Sequence, residues 1–538
     1  MYILMYYILY IYINIYKHIK YNILFMNNST SHNIHQLWKA PTPKSSKSAA
    51  SLNHGPTPNH NPNHNPNPNP IPKIIHQMWI GPKPRPSKFM ATWKTKHPDY
   101  EYIMWTEEEI SKRGLKFECI SKINEIEEIC GKVDIMRWEI LFHYGGLFVD
   151  ADSICIEPVN FLMDQHKSFC GYENENVRQG LVAIGTMAFH KNHPLLRRAI
   201  DHIKANEVSR AKTGNMAWKN VGPLLFTKLL QTNLFPDVVI YPSYYFLPKH
   251  LTGLQYMGHS IVYAYQEWGS TKNNYDIMNN IELEDIYKEP ELWVSVLISS
   301  YNTNHKYVVE CLDSIREQNG HFGIELVWIN DGSNELSTTL LEKTLDEFKA
   351  KMRFTKIIYK KWPKNMGLGY SLNKGVEMCS HEIIIRHDSD DICLADRFIK
   401  QLEFMKNNKD CVIVGSNMYL IKEINNSKVI HSQTDHPYLL TWENYKKSPS
   451  HWFINHPCVC FKKSAVLAVG NYNEKTHSLF EDFELFSKLL KTFGKLYNIQ
   501  ENLLYYRIHE NQLTFNGNSC KPQFVKARND LINQLLAD

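Results

Sequence analysis

The sequence predicts an α/β fold that is built twice along the chain. Strands alternate with helices over residues 71–272, and a new series of strands and helices begins at Leu292. This alternation is typical of parallel sheets that are covered by helices. In each series one predicted strand ends in closely spaced aspartates, at the edge where open α/β sheets bind their ligands. We therefore expect two α/β domains of the nucleotide-binding type in tandem.

Composition limits the classes of protein that this chain can belong to. Its 538 residues are too many for one ordinary domain, and 43% hydrophobic residues are enough for large cores. With 60 basic and 55 acidic residues the formal net charge is +5, and no basic run indicates a nucleic-acid partner. The eleven cysteines are scattered and lack CxxC pairs, which favours reduced thiols and a cytoplasmic location. Frequent Asn, Ile, Lys and Tyr are typical of an A/T-rich genome such as that of a large DNA virus, for which the location would be the host cytoplasm.

The start of the chain has two parts of unusual composition. Residues 1–25 are apolar and rich in tyrosine, but the apolar run is shorter than the roughly 20 residues that span a bilayer. Three interpretations stay open: a membrane anchor, a segment that lies in the membrane interface, and an upstream extension with Met26 as the true start. Residues 26–70 are rich in Asn-Pro pairs and have no apolar face, so they are predicted to form a disordered linker.

The first series begins with two strand-like segments. IPKIIHQMWIG is typical of a buried strand followed by a loop, and YEYIMW predicts a second strand. Thr106, followed by three glutamates, predicts the capped start of a helix. Further along, LVAIGTMAF predicts a strand, and the helix after it has Pro194 in its first turn.

The stretch KVDIMRWEILFHYGGLFVDAD organises this first series. Its apolar residues predict an amphipathic helix that breaks at Gly145–Gly146, and the short apolar strand Leu147–Val149 then ends on Asp150 and Asp152. Such a carboxylate pair can hold Mg²⁺ or Mn²⁺ against a diphosphate, because both ions prefer oxygen ligands. A surface turn is the simpler explanation of a bare Asp-x-Asp, but the surrounding stretch favours the metal site.

Four motifs in order give a family resemblance. IPKIIHQMW, KVDIMRWEILFHYGGLFVDAD, NVGPLLFTKLL and YAYQEWGSTK together resemble the sugar-binding, DXD-containing glycosyltransferases of family 32, over about residues 71–272. The family often has a histidine where this chain has Gln266–Glu267. The resemblance implies that His76, Gln77 and Trp79 lie near the nucleotide base of a donor, and that Asp134 and Arg137 face its sugar and diphosphate. It also implies that Asp150 and Asp152 contact the ribose and the metal, and that Trp268 and Ser270 contact the phosphates from a late loop.

The second series repeats the pattern with a more continuous strand. Leu292–Ile298 predicts a continuous, largely apolar strand, the helix HKYVVECLDSIREQ follows it, and the strand IELVWIND then ends at Asp331. This is a fresh βαβ unit, which favours a parallel sheet. A later strand, Glu382–Ile385, leads into a second acidic cluster over residues 388–391.

The second series resembles glycosyltransferase family 2, whose members have the nucleotide-diphospho-sugar transferase (GT-A, Rossmann-like) fold and invert the anomeric carbon. The motifs that carry the resemblance are, in order, VSVLISSYN, INDGS, NMGLGYSLNKG, RHDSDD, NHPCVCFKKSAVLAVGNYNE, FEDFELFSKL and YYRIH. The resemblance implies that Asp331 contacts the base, that Asp388 and Asp390 serve the ribose and metal, and that Asp482, next to Glu481, is the general base. One departure is Asn330, where the family often has an aspartate.

The roles that this second resemblance implies agree with the chemistry of glycosyl transfer. A divalent cation neutralises the charge that builds on the leaving diphosphate, and the attacking hydroxyl needs one carboxylate to take its proton. Glu481 and Asp482 stand at the start of an apolar helix, where a simple helix-capping role is the alternative. Tyr506, Arg507 and His509 could grip the diphosphate, and an ordinary salt bridge is an equally good explanation of Arg507.

The sequence thus predicts a bifunctional glycosyltransferase that uses UDP- or GDP-sugar donors, with Mn²⁺ or Mg²⁺ in each domain. The acceptor would be a glycan, a glycoprotein or a glycolipid, and membrane association would use residues 1–25. Predicted domains are 71–272, of retaining type, and 292–515, of inverting type, joined by 273–291 and followed by a C-terminal helix in 516–538. The alternatives are one active domain beside a degenerate sugar-binding one, and a carbohydrate-binding protein without activity. A metal-dependent nuclease or phosphatase is disfavoured because no basic channel is indicated.

Overall fold

The computed structural model describes residues 70–165, 167–286, 288–425, 427–449, 453–474, 480–510, 512 and 522–537. The segment 1–25 and all of the predicted linker except Pro70 lie outside these residues. Within the described ranges, no helix is long and apolar enough to cross a membrane. The ten cysteines in these ranges are free thiols.

Two main sheets and one small sheet contain the strands. In chain order the strands are β1 Ile74–Met78, β2 Glu101–Trp105, β3 Gly146–Val149, β4 Ser153–Cys155, β5 Phe169–Tyr172, β6 Val182–Phe189, β7 Val239–Tyr241, β8 Ala264–Gln266, β9 Trp293–Ser300, β10 Gly323–Asn330, β11 Thr355–Lys361, β12 Ile383–Arg386, β13 Ile392–Cys393, β14 Ile413–Ile424, β15 Ser427–Gln433, β16 Leu439–Thr441, β17 Cys460–Lys462 and β18 Lys495–Arg507. The small sheet pairs β4 with β8 in antiparallel fashion.

The first main sheet has the strand order β2-β1-β3-β6-β5-β7. Strand β1 pairs in parallel with both β2 and β3, whereas β6 runs antiparallel to β3 and β5. The carboxyl ends of β1 and β3 therefore meet at one edge of the sheet, which brings Trp79 and Asp150 to that edge. Alternate residues of β3 pack on opposite faces, with Leu147 and Val149 in one core cluster and Phe148 in the other.

The second main sheet has the order β11-β10-β9-β12-β17-β14-β18-β13, and β15 and β16 pair with β14 and β18. Its first four strands run parallel to one another, so their carboxyl ends form a common edge. Strand β10 is buried along its whole length, as is typical of a central strand in a parallel sheet. The parallel arrangement places Asp331 and the acidic cluster after β12 at the same edge.

Helices cover both faces of the two main sheets. The α-helices are Ser87–Lys96, Glu107–Arg113, Ile120–Glu125, Ile129–Tyr144, Asn160–Met163, Pro194–Ala205, Arg210–Thr213, Ala217–Asn220, Pro223–Leu230, Gly269–Lys272, Tyr275–Met278, Leu283–Ile286, His305–Arg316, Glu335–Lys351, Leu368–Met378, Arg397–Asn407, Trp442–Lys447, Lys463–Ala468, Glu481–Phe493 and Pro522–Ala537, and short 3₁₀ helices occupy Ser243–Tyr245 and His456–Cys458. Thr106 caps its helix as predicted, because its side chain accepts a hydrogen bond from the Glu109 amide at 3.2 Å.

Backbone hydrogen bonds join the two halves of the chain. His259 donates its amide to the carbonyl of Arg316 at 3.2 Å, and its own carbonyl accepts from Arg353 at 2.9 Å. Ile261 donates to Lys351 at 2.8 Å. The His259 ring, which is 2% exposed, lies 4.6 Å from a phenylalanine ring of the second half. The contact is therefore made by residues 256–261, some thirty residues before the second series of strands begins.

The predicted α/β class with two successive sheets is confirmed. The predicted elements occur where the sequence indicates them, including the Gly145–Gly146 break between a helix and β3 and the C-terminal helix Pro522–Ala537. The domain limits 71–272 and 292–515 stay predictions, because residues 67–538 form one compact unit.

Candidate functional site

A tight turn delivers the first pair of aspartates to the sheet edge. The amide of Gly145 donates to the Leu141 carbonyl at 2.8 Å and ends the helix, and both glycines of the turn have positive φ, 65° and 97°. A Cβ atom on Gly146 would lie 2.6 Å from the Ile74 carbonyl oxygen. Only glycine fits this conformation and this close approach, which explains the glycine pair in the sequence.

Asp150 stands directly after β3 and is held by two polar side chains. A guanidinium N–H of Arg137 donates to Asp150 Oδ1 at 2.5 Å, and the Gln266 amide donates to Oδ2 at 2.9 Å. Arg137 is 2% exposed, also donates to the Ile184 carbonyl, and lies over the ring of Phe148 at 4.6 Å. Arginine therefore neutralises one carboxylate of the pair and leaves it partly accessible.

Asp152 and Asp134 lie deeper in the protein on either side of Asp150. Asp152 Oδ2 accepts from the Gly269 amide at 2.6 Å, and Asp134 lies 3.8 Å from the Arg137 guanidinium. Burial, together with the nearby charge of Asp150, raises the pKa of Asp152 to about 7. Burial also raises the pKa of Asp134 to about 7, although Arg137 opposes the shift. Both carboxyls would gain from a cation at this position.

The residues that the sequence assigns to the nucleotide base do not all face the site. His76 is 0% exposed: Trp105 donates to its Nδ1 at 3.1 Å, and its Nε2 lies 2.7 Å from the Gly145 carbonyl oxygen. Gln77, also 0% exposed, donates to the Asp150 carbonyl at 3.1 Å and so supports the turn. Trp79 is half-buried and contacts the Tyr275 ring edge at 5.0 Å. Of His76, Gln77 and Trp79, only Trp79 therefore has surface exposed to solvent in this structure.

The late loop reaches the aspartates, and contact of Trp268 and Ser270 with the phosphates stays a prediction. Trp268 has φ 60° and donates its indole N–H to the Lys249 carbonyl at 3.0 Å, while Ser270 is exposed. The helix Gly269–Lys272 that contains Ser270 begins at the amide that binds Asp152. Gln266, at the position where a histidine is common, binds Asp150 directly.

In the second half, Asp331 holds the loop that follows β11. Its two carboxylate oxygens accept from the amides of Met366 and Gly367 at 2.7 and 3.0 Å, and the residue is 3% exposed. Burial raises the pKa of Asp331, and these two hydrogen bonds oppose the shift. Asp331 therefore shapes the edge of the site, and direct contact with a base stays a prediction.

Three carboxylates form the second acidic cluster. Oxygen atoms of Asp388, Asp390 and Asp391 all lie within 4.8 Å of one another. Asp388 pairs with the buried Arg386 at 2.5 Å, and one oxygen of the fully buried Asp391 has no hydrogen-bond partner. Burial raises the pKa of Asp391 well above its ordinary value. The orphaned oxygen and the hard oxygen donors fit a divalent cation.

Arg507 is committed to protein partners. It is 1% exposed, donates to Glu423 at 2.7 Å and to Glu310, and its Nε donates to the Asp390 carbonyl at 2.9 Å. The salt-bridge alternative thus describes its position in this structure, and a contact with the diphosphate stays a prediction. His509 Nε2 lies 2.7 Å from Asp390 Oδ2 and is the closer of the two to the acidic cluster.

Glu481 and Asp482 begin the helix Glu481–Phe493. Glu481 is 5% exposed and its Oε2 has no hydrogen-bond partner, while Asp482 keeps 14% of its side chain exposed. Burial and the neighbouring Glu481 raise the pKa of Asp482 well above its ordinary value. A carboxylate with a raised pKa is a stronger base, as a proton acceptor needs to be.

A third group of metal-ligating side chains, His190, His193 and Asp237, lies away from both sites. His193 Nδ1 accepts from the Leu195 amide at 3.1 Å, so its proton sits on Nε2 and is donated to Asp237 at 3.0 Å. This pattern is that of a helix cap, since the nitrogen that faces Asp237 is protonated.

Several residues of the two sites were missed by sequence reasoning. Gly185 is one, because a Cβ there would lie 2.8 Å from Asp150 Oδ2. Arg386 and His456 are two more, and both fall within motifs that carry the family 2 resemblance. The Arg-x-Asp-x-Asp spacing could have indicated Arg386 as a partner of the aspartates.

Comparisons with known proteins agree with this geometry. The family Glycosyl transferase family 2 matches residues 295–468, and the Glycosyltransferase sugar-binding region containing DXD motif matches residues 84–169. An uncharacterized glycosyltransferase of Haemophilus influenzae is 31% identical over 216 residues, which are 40% of this chain and 75% of that protein. The chain belongs to glycosyltransferase family 2. This family 2 glycosyltransferase also carries the DXD region, so both predicted resemblances are confirmed.

The chain is also similar to a second curated protein and to a solved structure. The Escherichia coli UDP-Gal:alpha-D-GlcNAc-diphosphoundecaprenol beta-1,3-galactosyltransferase is 33% identical over 214 residues, which are 40% of this chain and 73% of that protein. The crystal structure of S. aureus TarS 1-349 with UDP is 16% identical, covers 46% of this chain and 66% of that chain, and has a TM-score of 0.34. The matched ranges include both aspartate clusters, whereas His76, Gln266, Asp482 and Arg507 fall outside them.

Proposed function

We propose that the chain is a bifunctional glycosyltransferase with one metal-dependent site in each half. The halves would be residues 71–272 and 292–515, with 273–291 as the connection. Two successive additions to one glycan would explain why both sites occur on one chain.

One observation carries this proposal: the same arrangement of charges occurs twice. In each half a buried arginine, 2% exposed, pairs at 2.5 Å with the first aspartate of an Asp-x-Asp at the end of a sheet strand. The pairs are Arg137–Asp150 and Arg386–Asp388. A buried charge pair is costly to desolvate, so its presence beside each Asp-x-Asp supports a site for a charged ligand in both halves.

The residues present fit a divalent cation in both halves. Asp150 and Asp152 would hold Mn²⁺ or Mg²⁺ in the first half, and Asp388 and Asp390, beside Asp391, in the second. When bound, the cation neutralises charge on the diphosphate of the donor. Arginine beside the first aspartate would hold that carboxylate in one orientation for the cation.

In the second half Asp482 would act as the general base. Its partly exposed carboxylate would take the proton of the acceptor hydroxyl while that oxygen attacks the anomeric carbon from the face opposite the leaving diphosphate, which inverts the configuration. Glu481 beside it makes the carboxylate more basic through like-charge repulsion. A retaining mechanism in the first half is supported by the family 32 resemblance.

The donors would be UDP- or GDP-sugars. The galactosyltransferase relative, whose name includes UDP-Gal, supports a UDP-sugar in the second half. The acceptor would be a glycan, a glycoprotein or a glycolipid. Location in the cytoplasm agrees with the free thiols, and attachment to a membrane would depend on residues 1–25.

Donor turnover by the Met26–Asp538 protein tests this function. UDP-glucose, UDP-galactose, UDP-GlcNAc and GDP-mannose would each be supplied with Mn²⁺, and nucleotide release would be measured. We expect Asp150→Asn/Asp152→Asn and Asp388→Asn/Asp390→Asn to abolish release from different donors, by at least about 100-fold. If only the second pair matters, the first half is a binding module. If wild-type protein releases no nucleotide from any donor, the catalytic proposal fails for both halves.

A further inference from the structure

Asp482, the carboxylate proposed as general base, has a buried histidine as its neighbour. His456 Nδ1 lies 3.6 Å from Asp482 Oδ2, and His456 Nε2 lies 2.9 Å from the hydroxyl of Tyr472. His456 is 6% exposed and Tyr472 is 1% exposed. The imidazole therefore connects a buried phenol to the base through its two ring nitrogens.

The hydrogen-bond network decides which ring nitrogen of His456 carries the proton. Burial lowers the pKa of His456 well below its ordinary value, so the ring is neutral and has one N–H. A proton on Nε2 would leave the Tyr472 hydroxyl without an acceptor in the described part of the chain. It would also place the Nδ1 lone pair opposite the carboxylate of Asp482, where the two would repel each other. A proton on Nδ1 lets Tyr472 donate to Nε2 and points Nδ1–H at Asp482. An unsatisfied buried donor is destabilising, so the network assigns the proton to Nδ1.

We propose that His456 is a positioning residue that acts through Asp482. Its Nδ1–H fixes the carboxylate in one orientation and stabilises the ionised form that accepts the proton of the attacking hydroxyl, and Tyr472 holds the ring in the required tautomer. This proposal rests on the proposed role of Asp482. The 3.6 Å separation is longer than a hydrogen bond, and catalytic contacts of this kind often shorten when the substrates are bound.

Other groups around Asp482 also affect the pKa of its carboxyl. Glu481 raises the pKa of Asp482 by repulsion, after burial, which is the larger cause. The amide of Phe483 donates to Asp482 Oδ1 at 2.7 Å, and the positive charge of Arg386 favours ionisation. Oδ1 thus has its donor from the helix itself, and Oδ2 is the oxygen that faces His456.

Two substitutions of His456 separate positioning from packing. The amide nitrogen of asparagine can replace Nδ1, so His456→Asn keeps a donor for Asp482. The longer glutamine places its amide near Nε2, so His456→Gln keeps a partner for Tyr472 and removes the donor to Asp482. Both replace an aromatic ring with an amide, so the loss of ring packing is similar in the two proteins.

The experiment measures kcat, KM and the pH profile of donor hydrolysis. Its substrate is the UDP- or GDP-sugar that wild type hydrolyses and that Asp388→Asn/Asp390→Asn does not. His456→Gln is expected to lower kcat about 10- to 100-fold without changing KM for the donor. It should also move the acid limb of kcat upward by about one pH unit, because a lost N–H donor raises the pKa of a carboxylate. His456→Asn should recover most of the lost kcat and return the acid limb toward wild type.

A control histidine lies far from the site. The buried His97 bridges two backbone groups, with Nδ1 at 2.9 Å from the Trp93 carbonyl oxygen and Nε2 accepting from the Val159 amide at 3.0 Å. His97→Gln should lower Tm and leave the acid limb of kcat in place. Equal losses in His456→Asn and His456→Gln with an unmoved acid limb would overturn the proposal.

The tautomer is measured without turnover. In ¹⁵N-histidine-labelled wild type, with His456→Asn used to assign its resonances, ¹⁵N shifts distinguish Nδ1–H from Nε2–H. We expect Nδ1–H in wild type and a shift toward the other tautomer in Tyr472→Phe, which removes the bias. A ring protonated on Nε2 in wild type overturns the proposal, even if no donor is turned over and the proposed function itself has failed.

Discussion

At the scale of single residues, the buried imidazole of His76 makes stability depend on pH. Burial lowers its pKa to about 4 in the folded chain, against about 6.5 in the unfolded chain. The unfolded state therefore takes up the proton first, and the free energy of unfolding decreases as the pH falls from 6.5 to 4, by about 3 kcal/mol at most. We expect His76→Gln to have a lower Tm than wild type at pH 7.5 but a smaller further loss toward pH 4.5. Thermal unfolding across this range checks it, and parallel Tm curves for the two proteins would contradict it.

At the scale of elements, the turn between the helix Ile129–Tyr144 and β3 positions the first aspartate pair. In Gly146→Ala a Cβ meets a backbone carbonyl oxygen at 2.6 Å and φ stays at 97°, so we expect a loss of about 3 kcal/mol and weaker donor turnover in the first half. Gly114 provides the matched control, since its φ is 64° and no atom lies within 4 Å of an added Cβ. Gly114→Ala should cost about 1 kcal/mol and leave turnover unchanged. Equal Tm losses in the two variants would show that the close approach does not matter.

Elements of this kind were predictable because their causes are local. The cap at Thr106 and the break at Gly145–Gly146 depend on neighbours within a few residues. Partners that are distant in the chain were not predictable. Gln266 binds Asp150 across 116 positions, and Arg507 pairs with a glutamate 197 positions away, so the sequence indicated its charge but not its partner. His76 shows the same limit, since its motif was recognisable but its complete burial depends on the packing of β1, β2 and β3.

At the scale of the whole molecule, the two halves depend on each other through residues 256–261. Met257 accepts at its carbonyl from the Gly320 amide at 3.0 Å, and the Ser260 hydroxyl accepts from Arg316 at 2.8 Å. The backbone bonds of His259 and Ile261 lie beside these contacts. Backbone groups that lose buried partners cost about 1–3 kcal/mol each, so separation of the halves would destabilise the second one.

Cutting the chain before Leu292 tests this dependence. The 292–538 fragment keeps every strand of the second sheet but loses the partners of Arg316, Gly320 and Arg353. We expect it to unfold at a lower temperature than the Met26–Asp538 protein, which should unfold in one transition. Ser260→Ala in the longer protein removes the bond between the Ser260 hydroxyl and Arg316 and keeps the backbone bonds, so its cost should be only about 1 kcal/mol. If the fragment and the longer protein have the same Tm, the interface contributes nothing to the family 2 half, and the halves fold as independent domains.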